Sequence, residues 1–111
     1  MTKITYWPVR MEILVDGHSG SAKKGQDLIC AAISTLANTL QAVLTVQDEM
    51  HGGTVWNKER PFFHAWVKSD TELKAQAFVI METIATGYAL LATEYPDYVS
   101  FEVITEEEEE K

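Results

Sequence analysis

Two stretches of this chain repeat apolar residues at helical spacing over several turns, and every other apolar run is short and alternates like a strand. From about residue 26 to about residue 46, Ile29, Ile33, Leu36, Leu40 and Val43 form one stripe. The second stripe is Leu73, Ala77, Ile80, Met81, Ile84, Tyr88, Leu91 and Tyr95. Ahead of it, Ser69-Asp70-Thr71-Glu72 has the form of a capping box, and Pro96 removes the amide donor that would continue the helix. A helix with one apolar stripe needs a surface to bury it, and the short runs supply a sheet. Residues 4–9 and 11–16 read as strands, the second with Met11, Ile13 and Val15 set against Glu12, Leu14 and Asp16. His51-Gly52-Gly53 reads as a turn into a hairpin of residues 54–56 and 61–68, and residues 98–104 alternate as a last strand. The expected architecture is an α/β two-layer sandwich: one mostly antiparallel mixed sheet of four or five strands with two helices on one face. The other face is left to carry a partner.

With 111 residues, 46% of them hydrophobic, the chain has material for one core, which assigns residues 1–105 to a single domain. Residues 106–111, five glutamates and a lysine, carry half of the net charge of −8 and read as a solvated, disordered tail. An acidic chain is a poor nucleic-acid binder, because phosphate needs basic partners, and suits a basic protein substrate better. The first ten residues lack the apolar run of a signal peptide, and no stretch is expected to reach the length that crosses a bilayer. The expectation is a cytoplasmic protein with no membrane partner. Gly87 interrupts the second helix at a cost of about 1 kcal/mol relative to alanine, which points either to a tolerated glycine or to close packing, a dimer contact included.

Cys30 is the only cysteine, so the chain has no internal disulfide, and the thiol is open to three readings: buried filler, redox or metal ligand, or nucleophile. Its surroundings are Gly17-His18-Ser19-Gly20 and, after two lysines, Gly25-Gln26-Asp27-Leu28-Ile29-Cys30. A nucleophilic cysteine needs its thiol pKa, ordinarily about 8.5, lowered by positive potential or a base. The start of a helix offers the first, and its free amides can also hold an oxyanion. His18 offers the second. Gly17, Gly20 and Gly25 let the loop that contains Ser19 approach or close over a substrate. Asp27 and Ser34 share one strip of the helix with Cys30. Asp27 orients His18 or simply favours the helix dipole; Ser34 bonds near the site or back to the Cys30 carbonyl. A zinc site from His18, Cys30, His51 and His64 lacks the short ligand spacing of structural zinc motifs, and no metal or cofactor is expected. Trp7, Trp56, Phe62, Phe63 and Trp66 stay open between pocket, core and dimer contact.

Gly-His-Ser-Gly followed by Gly-Gln-Asp-Leu-Ile-Cys-Ala-Ala-Ile-Ser closely resembles the paired signature of the ribosomal-processing cysteine protease family Prp, with its Gly-His-Ala and Asp-Ile-Val-Cys-Ala-Ala-Val-Ser. The resemblance implies a dimeric two-layer α/β protein in which His18 and Cys30 are the catalytic pair and Asp27 assists. It also implies a substrate: a large-subunit ribosomal protein, the twenty-seventh in the L series, from which a short hydrophobic N-terminal extension ending in paired phenylalanines is removed. Similar enzymes trim phage capsid or scaffold proteins. Here Ser19 replaces alanine, Lys23-Lys24 enters the loop and Leu28-Ile29 replaces Ile-Val, which leaves the reacting groups intact and the substrate open. The remaining alternative is a dimeric binding module that keeps the cysteine without activity.

Overall fold

The computed structural model describes residues 1–17, 26–57 and 62–105, with the side chains of Gln26 and Asp27 outside the described set. Five strands and two helices follow in the order β1 (Thr2–Trp7), β2 (Glu12–Asp16), α1 (Gln26–Val46), β3 (Gly52–Asn57), β4 (Phe62–Val67), α2 (Lys74–Glu94) and β5 (Val99–Val103). The strands form one mixed sheet in the order β3-β4-β2-β1-β5, antiparallel throughout except for β1 beside β5. This is the α/β layout expected from the two periodicities. The acidic tail, 106–111, lies outside the described residues.

Register decides which side chains enter the core. Ile4 pairs with Val15, Val15 with Phe63, Tyr6 with Ile13 and Ile13 with Ala65, so these six share the face turned to the helices, and all are buried. Ile13 and Val15 are the inward set of β2, as the alternation requires, and Met11 is buried with them in the turn just ahead of the strand. Against them α1 buries Ile29, Ile33, Ala37, Leu40 and Leu44, and α2 buries Ala77, Met81, Ile84, Ala85 and Tyr88. The opposite face carries Arg10, Glu12, His64 and Trp66: Arg10 lies 2.6 Å from Glu12 and 4.6 Å from the Trp7 ring centre, and the His64 imidazole meets the other Glu12 oxygen.

Three local expectations are corrected. The capping box does not form: α2 begins at Lys74 behind Leu73, with no side-chain cap. Thr71 is buried, and its Oγ1 accepts the Leu73 amide at 3.1 Å, while Ser69, whose hydroxyl the box would use, lies too far ahead of Lys74 to cap the helix. The turn at His51-Gly52-Gly53 lies earlier, in a 3₁₀ turn over Asp48–Met50 closed by His51 at φ 60°, and both glycines are in β3. Their small size serves contact: a Cβ on Gly52 would stand 2.9 Å from the Trp66 carbonyl oxygen, and one on Gly53 would stand 2.6 Å from the Trp66 ring. Third, both helices are 21 residues long, and stretches within them, Leu28–Val46 and Lys74–Glu94, reach mean hydropathies of 1.6 and 1.4, in the range of membrane spans and contrary to the reading that no stretch approaches that length. Each buries one apolar face against the sheet, yet only 28% of each stretch is buried, so apolar side chains are also left on the outer side of the helices.

Gly87 belongs to the contact between the helices. A Cβ there would lie 2.9 and 3.0 Å from the two methyl carbons of Leu36. One residue on, the Tyr88 hydroxyl donates to the Ile33 carbonyl at 3.3 Å, and burial pushes its phenol well above the usual tyrosine value. Gly87→Ala is expected to be nearly neutral, the gain in helix propensity offset by displacement of the Leu36 methyls. Gly87→Val is expected to cost about 1–3 kcal/mol in urea unfolding through overpacking; unchanged stability would show that the helices are free to separate.

Candidate active site

Cys30 is the fifth residue of α1, one position beyond the first turn. Helical side chains lean toward the N-terminus, which returns the thiol to the level of that turn, where the potential is most positive. Cys30 is half-buried and forms no disulfide. It opens on a cavity of about 240 Å³ between α1 and the sheet.

The cavity joins parts of the chain that are distant in sequence. α1 contributes Cys30, Ile33, Ser34 and Ala37; Trp56 and Asn57 close the end of β3; Phe62 and Phe63 open β4. Thr2, Val15 and Gly17 complete the wall. Trp56 and Phe63 pair across the two strands with ring centres 4.6 Å apart, so the wall facing the helix is aromatic. Gly17, at φ +88°, ends β2 in a conformation that side-chain-bearing residues rarely adopt, and a Cβ there would stand 2.9 Å from the Met1 carbonyl oxygen. Both facts require glycine where the chain leaves the sheet toward residue 18.

Of the residues singled out in the sequence, Gly17, Cys30 and Ser34 are brought together. Asp27 is in the first turn of α1, with its side chain outside the described set. His18, Ser19, Gly20 and Gly25 lie outside the described residues, so the pairing of His18 with Cys30 is untouched by this geometry. Three of the five open aromatics, Trp56, Phe62 and Phe63, line the cavity, whereas Trp7 meets Arg10 and Trp66 lies beside His64 on the far face. His51 stands 3.5 Å from Asp70, and His64 is held by Glu12 across the sheet from the cavity. Among the described residues no three His, Cys, Asp or Glu side chains converge as a metal site.

Sequence reasoning did not find Thr2, Val15, Ala37 or Asn57. Thr2 is buried, and its Oγ1 has no hydrogen-bond partner among the described residues. A threonine in an N-terminal strand reads as sheet surface, and nothing in the local pattern places it beside Cys30.

The model of the cysteine protease Prp family matches residues 3–100. The chain belongs to that family. No curated protein sequence matches it. Among solved structures it is similar to the Streptococcus mutans protein SMU.848, with TM-score 0.75, 22% identity, and coverage of 95% of this chain and 93% of that one. It is also similar to the essential ribosomal processing protease Prp of Staphylococcus aureus, solved with a covalently linked product peptide (TM-score 0.74, 18% identity) and with a substrate peptide (TM-score 0.74, 17% identity). Each of those two alignments covers 93% of this chain and 97% of the other. At these identities the likeness is one of fold, and the family model carries the assignment.

Because Trp56 is the one tryptophan lining the Cys30 cavity, attaching a bulky thiol reagent to Cys30 is expected to shift tryptophan emission, and Trp56→Phe is expected to remove the response. A shift that survives in Trp56→Phe would place the label against another tryptophan.

Proposed function

We propose that this protein is a cytoplasmic cysteine endopeptidase that removes a short hydrophobic N-terminal extension from a large-subunit ribosomal protein, the twenty-seventh in the L series. The observation that carries the reading is the Cys30 thiol on the wall of a cavity lined by Trp56, Phe62 and Phe63, which offers aromatic surface to phenylalanine side chains next to a nucleophile. Membership of a cysteine protease family supports the reaction class. The S. aureus relative, which has bound a substrate peptide, supports the substrate class.

In this mechanism the Cys30 sulfur, its proton taken by His18, attacks the scissile carbonyl carbon and forms a tetrahedral oxyanion near the start of α1. Collapse breaks the C–N bond as His18 returns the proton to the leaving amine. Water then hydrolyses the thioester, releasing the acyl fragment as a carboxylate and restoring the thiol. Asp27 orients His18, Ser34 supplies a hydroxyl beside the sulfur, and the 17–25 loop with Ser19, Gly20 and Gly25 covers the bound peptide.

The active form in this proposal is a homodimer joined through the outer face of the helix layer. That face is nearly free of charge, with Leu28, Val46, Val79 and Leu90 each more than 60% exposed. Six threonines on the helices donate their hydroxyls to carbonyls one turn back, which makes the surface more apolar still. Val79→Glu is expected to sediment as a monomer where the unmodified protein sediments as a dimer; equal mass for both would move the dimer contact elsewhere.

The activity is tested by mass spectrometry of the full-length ribosomal precursor incubated with the protein at neutral pH. Loss of the N-terminal extension is expected with the unmodified protein, none with Cys30→Ser, and a rate lower by at least a hundredfold with His18→Ala. An intact precursor in every case would overturn this substrate and favour a phage structural protein or an inactive binding role.

A further inference from the structure

We propose that the substrate is read as an added β-strand on the outer edge of β3, seated in a groove between that edge and α1 that begins at the Cys30 cavity and ends near Asp48. This rests on the cleavage reading above and extends it to residues well away from the bond that is cut.

β3 is the outermost strand of the sheet and, among the described residues, pairs with β4 alone. Alternate residues of an edge strand turn both N–H and C=O outward, a ready template for another chain. Proteins blunt such edges with charge or proline, yet β3 reads Gly-Gly-Thr-Val-Trp-Asn and carries neither. At the other edge β5 contains Glu102, exposed to solvent.

The space beside this edge is hollow along its length. A second cavity, of about 200 Å³, also lies between α1 and β3: Gln41 and Thr45 of α1, Asp48 in the 3₁₀ turn beyond it, and Gly52 and Thr54 of β3 line it. Gly52, Thr54 and Trp56 share the strand face turned to α1. Between the two cavities the Trp56 indole donates to the Gln41 side-chain carbonyl at 3.0 Å, an exposed bond that partitions one groove.

The dimensions suit an extended peptide. Cys30 and Thr45 are fifteen residues apart on α1, roughly 22 Å at helical rise, and the six residues of β3 span about 20 Å. Some six peptide residues therefore cover the groove. Its end beside Cys30 is apolar and aromatic, and its far end presents threonine hydroxyls, the Gln41 amide and the Asp48 carboxylate. That order selects an apolar residue beside the scissile bond and a polar or basic residue about six positions away. Backbone pairing supplies affinity without sequence demand, and the two cavities supply the selection.

The test uses synthetic peptides spanning the precursor cleavage sequence, lengthened one residue at a time on either flank. On one flank kcat/KM is expected to rise at least tenfold as the sixth residue is added, and N-methylation at alternate positions of that flank is expected to abolish the gain. Thr45→Arg, which fills the distal cavity, is expected to remove the gain through KM while leaving cleavage of the shortest peptide within twofold. With Cys30→Ala and the long peptide, β3 amides are expected to exchange at least tenfold more slowly with solvent deuterium. Cleavage that is indifferent to length, N-methylation and Thr45→Arg, with β3 exchange unchanged, overturns the added strand and leaves the protease reading standing. Protection of β3 without any cleavage does the reverse, and a peptide that is neither cut nor protective overturns both.

Discussion

The contact between the two helices is the constraint on which the site depends. Gly87 lets α2 approach until the Leu36 methyls occupy the space a Cβ would need, and the Tyr88 hydroxyl reaches the Ile33 carbonyl across the same gap. Ile33 and Leu36 lie three and six residues beyond Cys30, so this contact sets the depth of the first half of α1 over the sheet. The cavity is the space left between that half of the helix and the strands.

Polar and apolar character are divided between the two sides of the sandwich in an unusual way. The open face of the sheet holds the ion pairs, with Glu12 receiving both Arg10 and His64 beside Trp7 and Trp66. The helix layer, normally the solvated side of such a fold, has almost no charge and satisfies its threonines internally. Between these faces, Tyr6 donates to Glu82 at 2.7 Å, and burial together with that carboxylate raises its phenol well above the ordinary tyrosine value. Tyr6 therefore stays a neutral donor at physiological pH, and its bond ties β1 to α2 and completes the frame that holds the helices in place.

A buried hydroxyl and an unguarded edge both border the Cys30 cavity: Thr2 Oγ1 lacks a partner among the described residues, and β3 lacks the charge or proline of a protected edge. Each costs stability or solubility in a free-standing domain. The open edge is a feature that a bound chain would satisfy, and both features lie next to the thiol. The open space between α1 and the β3 edge is matched by dense packing of α1 against α2.

The sequence by itself determined the two helices, the inward set of β2, the two-layer class, and the placing of Cys30 and Ser34 on one strip of α1, because each follows from periodicity within one element. It also marked the family through the motif around His18 and Cys30. It misread Ser69-Asp70-Thr71-Glu72 as a cap because Thr71 is taken into the core and the helix starts only at Lys74, beyond the reach of Ser69, and Gly52-Gly53 as a turn because their small size answers the Trp66 and Leu44 side chains packed against them. Only the tertiary structure decided that Trp56, Phe62 and Phe63 line the Cys30 cavity while Trp7 and Trp66 do not, and that Gly87 serves the helix contact. Those outcomes depend on strand register and on the distance between helices, which arise from packing among residues remote in sequence and leave no local pattern to read.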